Sequence, residues 1–282
     1  MNLTEAFDYV AAQRPAWVTP KGNWNKPFSF NREHCLRLLG ANKNVKKITK
    51  ANLAAMRATL MQEPGKKGRR TPGGVNRIMS MINTVLAELE ENEIIDKAPK
   101  LKPLKENGAR TGWFTRENIE DLVTVSKEVY FNHELGDAIL FGVYTGCRQG
   151  ELLGLEVGDV SLDRKIITFR DTKNGTDHVL DIHEDLLEML QKRCQGNSPS
   201  SKVFQFRNKD ELYAGFKKSR RAIGLPEELV WYSLRHTTGT WLAEAGVPIQ
   251  TIAKILNHKN ISTTERYTKV TDTARREALN AL

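Results

Sequence analysis

KIITFRDTKNGTDHVLDI (residues 165–182) is the stretch in which the hydrophobic period of this chain changes. Elsewhere apolar residues recur three and four positions apart, the period of a helix with one buried face. Here Ile166, Ile167, Thr168 and Phe169 crowd β-branched and aromatic side chains together, and Asn174-Gly175 falls between two extended stretches. That dipeptide suits a tight hairpin, whose central residues must tolerate positive φ. The pattern predicts a small antiparallel sheet of about three strands in an otherwise helical chain, a mostly α architecture of the α+β class.

Working outward from the hairpin, helices are predicted at 183–194, 208–223, 232–245, 248–257 and 261–270, with VFQF (203–206) as a short strand. Upstream, Thr115 leads a helix, another near 135–145 stops at Thr145-Gly146, and a short one runs from about Arg148 to Leu155. KAPKLKPLKENGARTG (97–112) holds two prolines and two glycines and no apolar period, so it reads as an interdomain linker. We place a helical unit at 1–105, a linker at 106–112 and a second unit at 113–282, with a tail from about 269. In the first unit Leu3, Phe7 and Val10 open a helix, 29–39 and 49–61 continue the pattern, and 72–95 is the clearest, with Thr71 as N-cap and Pro72 at N1.

Residues 1–110 carry 20 Lys+Arg against 10 Asp+Glu, and subtraction from 43 and 34 leaves 23 against 24 for the rest. The excess positive charge therefore sits in the first unit, concentrated in ANKNVKKITK (41–50) and EPGKKGRR (63–70). Such a surface suits contact along phosphates, or is simply solvated. Three cysteines with no CxxC pair fit a reducing compartment rather than a disulfide framework or zinc site. No apolar run of about 18 residues predicts a membrane span, and MNLTEAFDYV is unlike a secretory signal. The expected location is the cytoplasm, bacterial or that of a phage host.

Five residues stand out along the second unit: Arg148 in TGCRQGELLGL, Lys173 before the hairpin turn, Arg235 in WYSLRHTTGTWLAEAG, His258 in ILNHKN and Tyr267 in TTERYTKV. Singly each has an ordinary structural role, as a solvated cation, a helix cap or a core-covering ring. Their order and spacing resemble the tyrosine recombinases, the phage integrase family. That family's signature is an arginine with an acidic residue three positions on (Arg148 and Glu151), a lysine on a β-hairpin, and an HxxR helix. A His or Trp follows, then a tyrosine about nine residues further. Upstream, VNRIMSMINTVL (75–86) looks like part of the family's core-binding domain. Two positions depart from the pattern: Tyr232 stands where HxxR has histidine, and Asn257 stands where LGH has glycine.

The resemblance implies that Arg148 and Arg235 hold a scissile phosphate with bidentate, permanently charged donors. Tyr267 would attack to give a covalent 3′-phosphotyrosine, Lys173 would protonate the leaving 5′-oxygen, and His258 would hydrogen-bond the phosphate and help deprotonate the tyrosine. Glu151 would orient Arg148; Tyr232 could donate to phosphate, although a phenol with an ordinary pKa near 10 is a poor base. The covalent link conserves phosphodiester energy, so no ATP, metal or other cofactor is expected, and neither a GxxxxGK[ST] loop nor clustered carboxylates occur. The implied partners are double-stranded DNA attachment sites, contacted by Lys46, Lys47, Lys66, Lys67, Arg69, Arg70 and Arg77, a homotetramer on that DNA, and accessory DNA-bending or excision factors. The tail after Tyr267, with Val270, Ala274, Ala278 and Leu282 at helical spacing, would dock on a neighbour or fold back on its own unit. The implied function is integration or excision of a phage or mobile element. The alternatives are an Xer-type dimer-resolving recombinase, a type IB topoisomerase-like enzyme and a non-catalytic DNA-binding relative.

Overall fold

The structure, a computed structural model, describes residues 1–65, 68–106, 112–170, 172 and 175–268. The chain divides into two compact units, Met1–Ala109 and Arg110–Leu282. In the first, α1 (Leu3–Ala12), α2 (Lys26–Leu39), α3 (Lys50–Gln62) and α4 (Pro72–Glu91) share a core that includes Phe7, Leu53, Met56, Ile78 and Leu86. Asn2 and Thr49 cap α1 and α3 reciprocally with the third helical residue, and Thr71 accepts from Gly74 N–H ahead of Pro72. Caps of this kind contribute about 1 kcal/mol each. Helix α4 ends at Glu91, before the expected 95, because Glu93 turns left-handed (φ 56°) and Ile94 and Ile95 fold back onto Leu89 O.

Between α3 and α4 the basic turn forms a short ribbon, β1 (Pro64–Gly65) antiparallel to β2 (Gly68–Arg69). Residues 98–104, read from sequence as open linker, clasp this unit. Ala98 is buried, Leu101 and Leu104 pack on the core, and Asn76 pairs with both N and O of Leu104 at 2.9 Å. The segment belongs to no helix or strand, so no regular element marks these residues as packed.

The second unit contains α5 (Arg116–Thr124), α6 (His133–Thr145), α7 (Gln149–Gly154), the strands β3 (Val160–Ser161), β4 (Ile166–Phe169) and β5 (His178–Asp181), then α8 (Glu184–Cys194), α9 (Lys209–Ala222), α10 (Ser233–Glu244), α11 (Ile249–Ile255) and α12 (Glu265–Thr268). The sheet is antiparallel in the order β3-β4-β5. It is mostly helical with one small sheet here, as the period predicts. The β4–β5 pairing closes at Phe169↔His178, leaving an eight-residue connection, 170–177, rather than a two-residue turn. Gly175 takes φ 76° and donates to Thr172 O at 2.7 Å; Asn174 lies outside the described residues. VFQF (203–206) forms no strand; Val203 and Phe204 instead fill the core with Phe114, Phe141 and Phe216. Among the described residues no helix is long and apolar enough to cross a membrane.

Candidate active site

Helix α10 is not an ordinary surface helix. Ser233 through Thr240 are all buried, although most are polar or small. Buried hydroxyls need partners, and these find them: Thr237 donates to Ser233 O and accepts from Phe114 N–H, while Thr238 donates to Val143 O at 2.7 Å. The helix is thereby fixed on all sides, and Arg235 and His236 project from it with little freedom.

Arg235 is 3% exposed. Burying a guanidinium costs several kcal/mol unless it is well solvated by the protein. It donates to Gly146 O at 2.8 Å and to Leu256 O, while its Nε finds no partner among the described residues. Burial first, then the nearby Arg148 charge, lowers its pKa from the usual arginine value. Arg148 precedes α7, where the Glu151 carboxylate accepts from its backbone N–H at 2.7 Å and from its guanidinium at 2.6 Å. Its other terminal nitrogen donates to Asn257 O at 3.2 Å.

The two arginines therefore meet consecutive carbonyls of one turn. That turn ends α11: Asn257 takes φ 48°, His258 N–H reaches back to Ala253 O and Asn257 N–H to Lys254 O, a Schellman closure. It leaves the last carbonyls of the helix facing outward at the negative end of its dipole. His178 pairs with Ile255 O, Arg235 with Leu256 O and Arg148 with Asn257 O. His258 follows immediately, its Nδ1 2.8 Å from Thr264 Oγ1.

Tyr267, on α12, is 4% exposed and packs with Leu256, Ile252 and Ala243. Its hydroxyl lies 3.0 Å from His236 Nδ1, and its ring lies near-parallel to that of His258, with centroids 6.5 Å apart. Burial pushes the phenol up to about 12, against the pull of Arg235 and Arg266. Burial, then neighbouring cations, pushes both His236 and His258 down to about 4, so both imidazoles are neutral at neutral pH. Gly239 is the reason the ring fits: a Cβ there would lie 2.5 Å from Tyr267 Cε2.

Arg148, Glu151 and Tyr232 line a cleft of about 620 Å³ whose other walls include Arg170, Thr172 and Lys209. Tyr232 is 48% exposed and meets His236 edge-on at 5.0 Å. Arg235, His258 and Tyr267 are not among the residues that line it; His258 lines a second cavity, of about 460 Å³, with His178, Asp181 and Asn257. Lys173 lies outside the described residues, although its neighbour Thr172 is in the cleft wall. Among the basic candidates of the first unit, Lys46, Lys47, Arg69 and Arg77 are exposed. Arg70 is turned inward, 2.9 Å from His34 Nε2, 3.6 Å from Glu63 and over the Phe30 ring. Lys66, Lys67 and the tail from 269 lie outside the described residues. Sequence reasoning missed His236; the signal available was its place beside Arg235 on a helix too polar to be a plain core element.

The model of the phage integrase family matches residues 112–274. Tyrosine recombinase XerA of Thermococcus kodakarensis is 32% identical over 72% of this chain and 74% of its own length. That of Pyrococcus horikoshii is 32% identical over 74% and 75%. The fold is similar to that of the Tn1549 transposon integrase in complex with transposon right end DNA, with TM-score 0.78, 16% identity and coverage of 100% and 99%. It is also similar to lambda integrase in a tetramer bound to a Holliday junction, with TM-score 0.69, 18% identity and coverage of 92% and 76%. The chain belongs to the phage integrase family, the tyrosine recombinases.

Proposed function

We propose that this recombinase cuts and rejoins DNA at specific sites through Tyr267, integrating or excising a mobile element. The observation that carries the reading is the seating of Arg148 and Arg235 on consecutive carbonyls of the turn that also bears His258. Two guanidiniums so placed can share the non-bridging oxygens of one phosphate. Tyr267, covered by its own unit, swings away from His236 to attack. The Tyr267 Oη–P bond forms as the P–O5′ bond breaks, the phenol proton passes to the neutral His258 imidazole, and Lys173 protonates the departing 5′-oxygen. Rejoining is the reverse, so no outside energy source is needed. Glu151 holds Arg148 in register, and Tyr232 adds a donor at the cleft mouth.

In this reading residues 113–282 are the catalytic domain and 1–105 a core-binding domain that follows phosphates with Lys46, Lys47, Lys66, Lys67, Arg69 and Arg77. One subunit per strand cut makes a tetramer on two duplexes, with accessory DNA-bending or excision factors setting direction, in the compartment that holds chromosomal DNA. A DNA substrate nicked beside its core site tests the chemistry: a covalent protein–DNA complex should form with the native chain and not with Tyr267→Phe. A trapped complex with Tyr267→Phe would overturn the reading. The likeness to XerA over about three quarters of the chain favours a second reading, resolution of chromosome dimers. Recombination between two directly repeated chromosomal sites, rather than between element and chromosome, would decide for it.

A further inference from the structure

Asn257 closes α11 at φ 48°, a conformation that glycine adopts freely and that asparagine tolerates. The turn needs nothing from its side chain, yet that side chain is engaged. Its Nδ2 donates to Thr172 Oγ1 at 3.2 Å. Thr172 is 4% exposed, and its hydroxyl passes the chain on, donating to Thr176 O at 2.8 Å. The backbone carbonyl of the same asparagine receives Arg148. One residue thus touches the arginine seat with its main chain and the 170–177 connection with its side chain.

We propose that Asn257 is a positioning residue whose amide fastens the β4–β5 connection to the turn that seats Arg148 and Arg235. Arg170 and Thr172 of the connection line the cleft, and Lys173 follows Thr172 in the chain. Tethering Thr172 limits where the adjacent lysine can stand relative to the phosphate the arginines hold. This second part rests on the proposed role of Lys173 as proton donor. Proton donation is sensitive to placement: a misplacement of about 1 Å can cost a hundredfold, whereas the hydrogen bond itself contributes only about tenfold to an equilibrium.

The test uses the full chain and single-turnover formation of the covalent complex on two nicked substrates, one with the normal 5′-oxygen leaving group and one with sulfur in its place. Sulfur departs as a thiolate and needs no proton. Asn257→Gly keeps the left-handed turn without strain and removes the amide; Thr172→Val removes the acceptor; Thr172→Ser restores it. Asn257→Gly and Thr172→Val should each slow cleavage of the oxygen substrate about tenfold. The double substitution should be no slower than either alone, and Thr172→Ser should match the native chain. On the sulfur substrate both variants should run within about twofold of the native rate. Additive losses in the double variant would overturn the tether. Equal slowing on both substrates would overturn its action through proton donation. Lys173→Ala reports on the underlying reading separately: if sulfur fails to rescue that variant, the assignment of Lys173 fails, and the Asn257–Thr172 coupling still decides the tether.

Discussion

The Nδ1 atom of His236 lies 3.0 Å from the hydroxyl of Tyr267, with the tyrosine 4% exposed. The imidazole is held neutral by burial and the phenol is held protonated by it, so the contact is an ordinary hydrogen bond between uncharged partners. It stabilises the covered position of the side chain that the proposed chemistry requires to move.

His236→Phe keeps a ring of similar bulk and leaves the buried hydroxyl without its hydrogen-bond partner. A buried unsatisfied hydroxyl costs about 1–3 kcal/mol. Urea denaturation of the second unit should show that loss, and adding Tyr267→Phe should recover most of it. Equal stability of native and His236→Phe chains would show that the bond contributes nothing.

The close fit of Gly239 against the Tyr267 ring gives an independent handle on the same position. Gly239→Ala should destabilise the unit by about 1–3 kcal/mol through overpacking. In a Tyr267→Ala background the same methyl should be tolerated, because the ring it meets is gone. A penalty unchanged by the tyrosine would place the strain in the helix itself.

Stability should fall in mild acid. His236 and His258 have folded-state pKa values near 4, below the ordinary 6.5. Between those values the unfolded chain binds protons that the folded chain refuses, so the stabilisation present above pH 6.5 is lost as pH falls towards 4. The melting temperature of the second unit should drop by roughly 5 °C or more across that window. Replacing both histidines with glutamine should flatten the dependence.

In the first unit, Arg69 and Arg70 should behave differently despite being neighbours. Arg69 is exposed, so Arg69→Ala should weaken DNA binding and reduce the slope of log affinity against log salt by roughly one. Arg70 is engaged with His34, Glu63 and Phe30, so Arg70→Ala should lower thermal stability and leave the salt slope nearly unchanged. Filter binding across a salt series, alongside thermal melts, separates the two.

Most of this architecture could be read from the sequence because its signals are local. Thr71 with Pro72 and the Thr115 cap marked helix starts, and the β-branched run before Phe169 marked a strand. What escaped was set by tertiary packing. The 98–104 clasp depends on Asn76 reaching a backbone from another element. The aromatic cluster of Trp17, Trp24 and Phe28 has no period to betray it. At the site, Arg148, Arg235, His258 and Tyr267 were named by order and spacing, but the main-chain carbonyls on which the two arginines sit carry no identity in the sequence. His236 was overlooked for a related reason: its importance comes from a residue thirty-one positions away.

Because Leu256 and Asn257 are adjacent, the gap between the two guanidinium seats is one peptide unit, about 3.8 Å between α-carbons. The backbone acts there as a ruler that side-chain substitution cannot recalibrate. The number of residues at 256–257 therefore sets that spacing, and a single inserted residue between them would separate the two seats by a full step without changing the identity of any side chain.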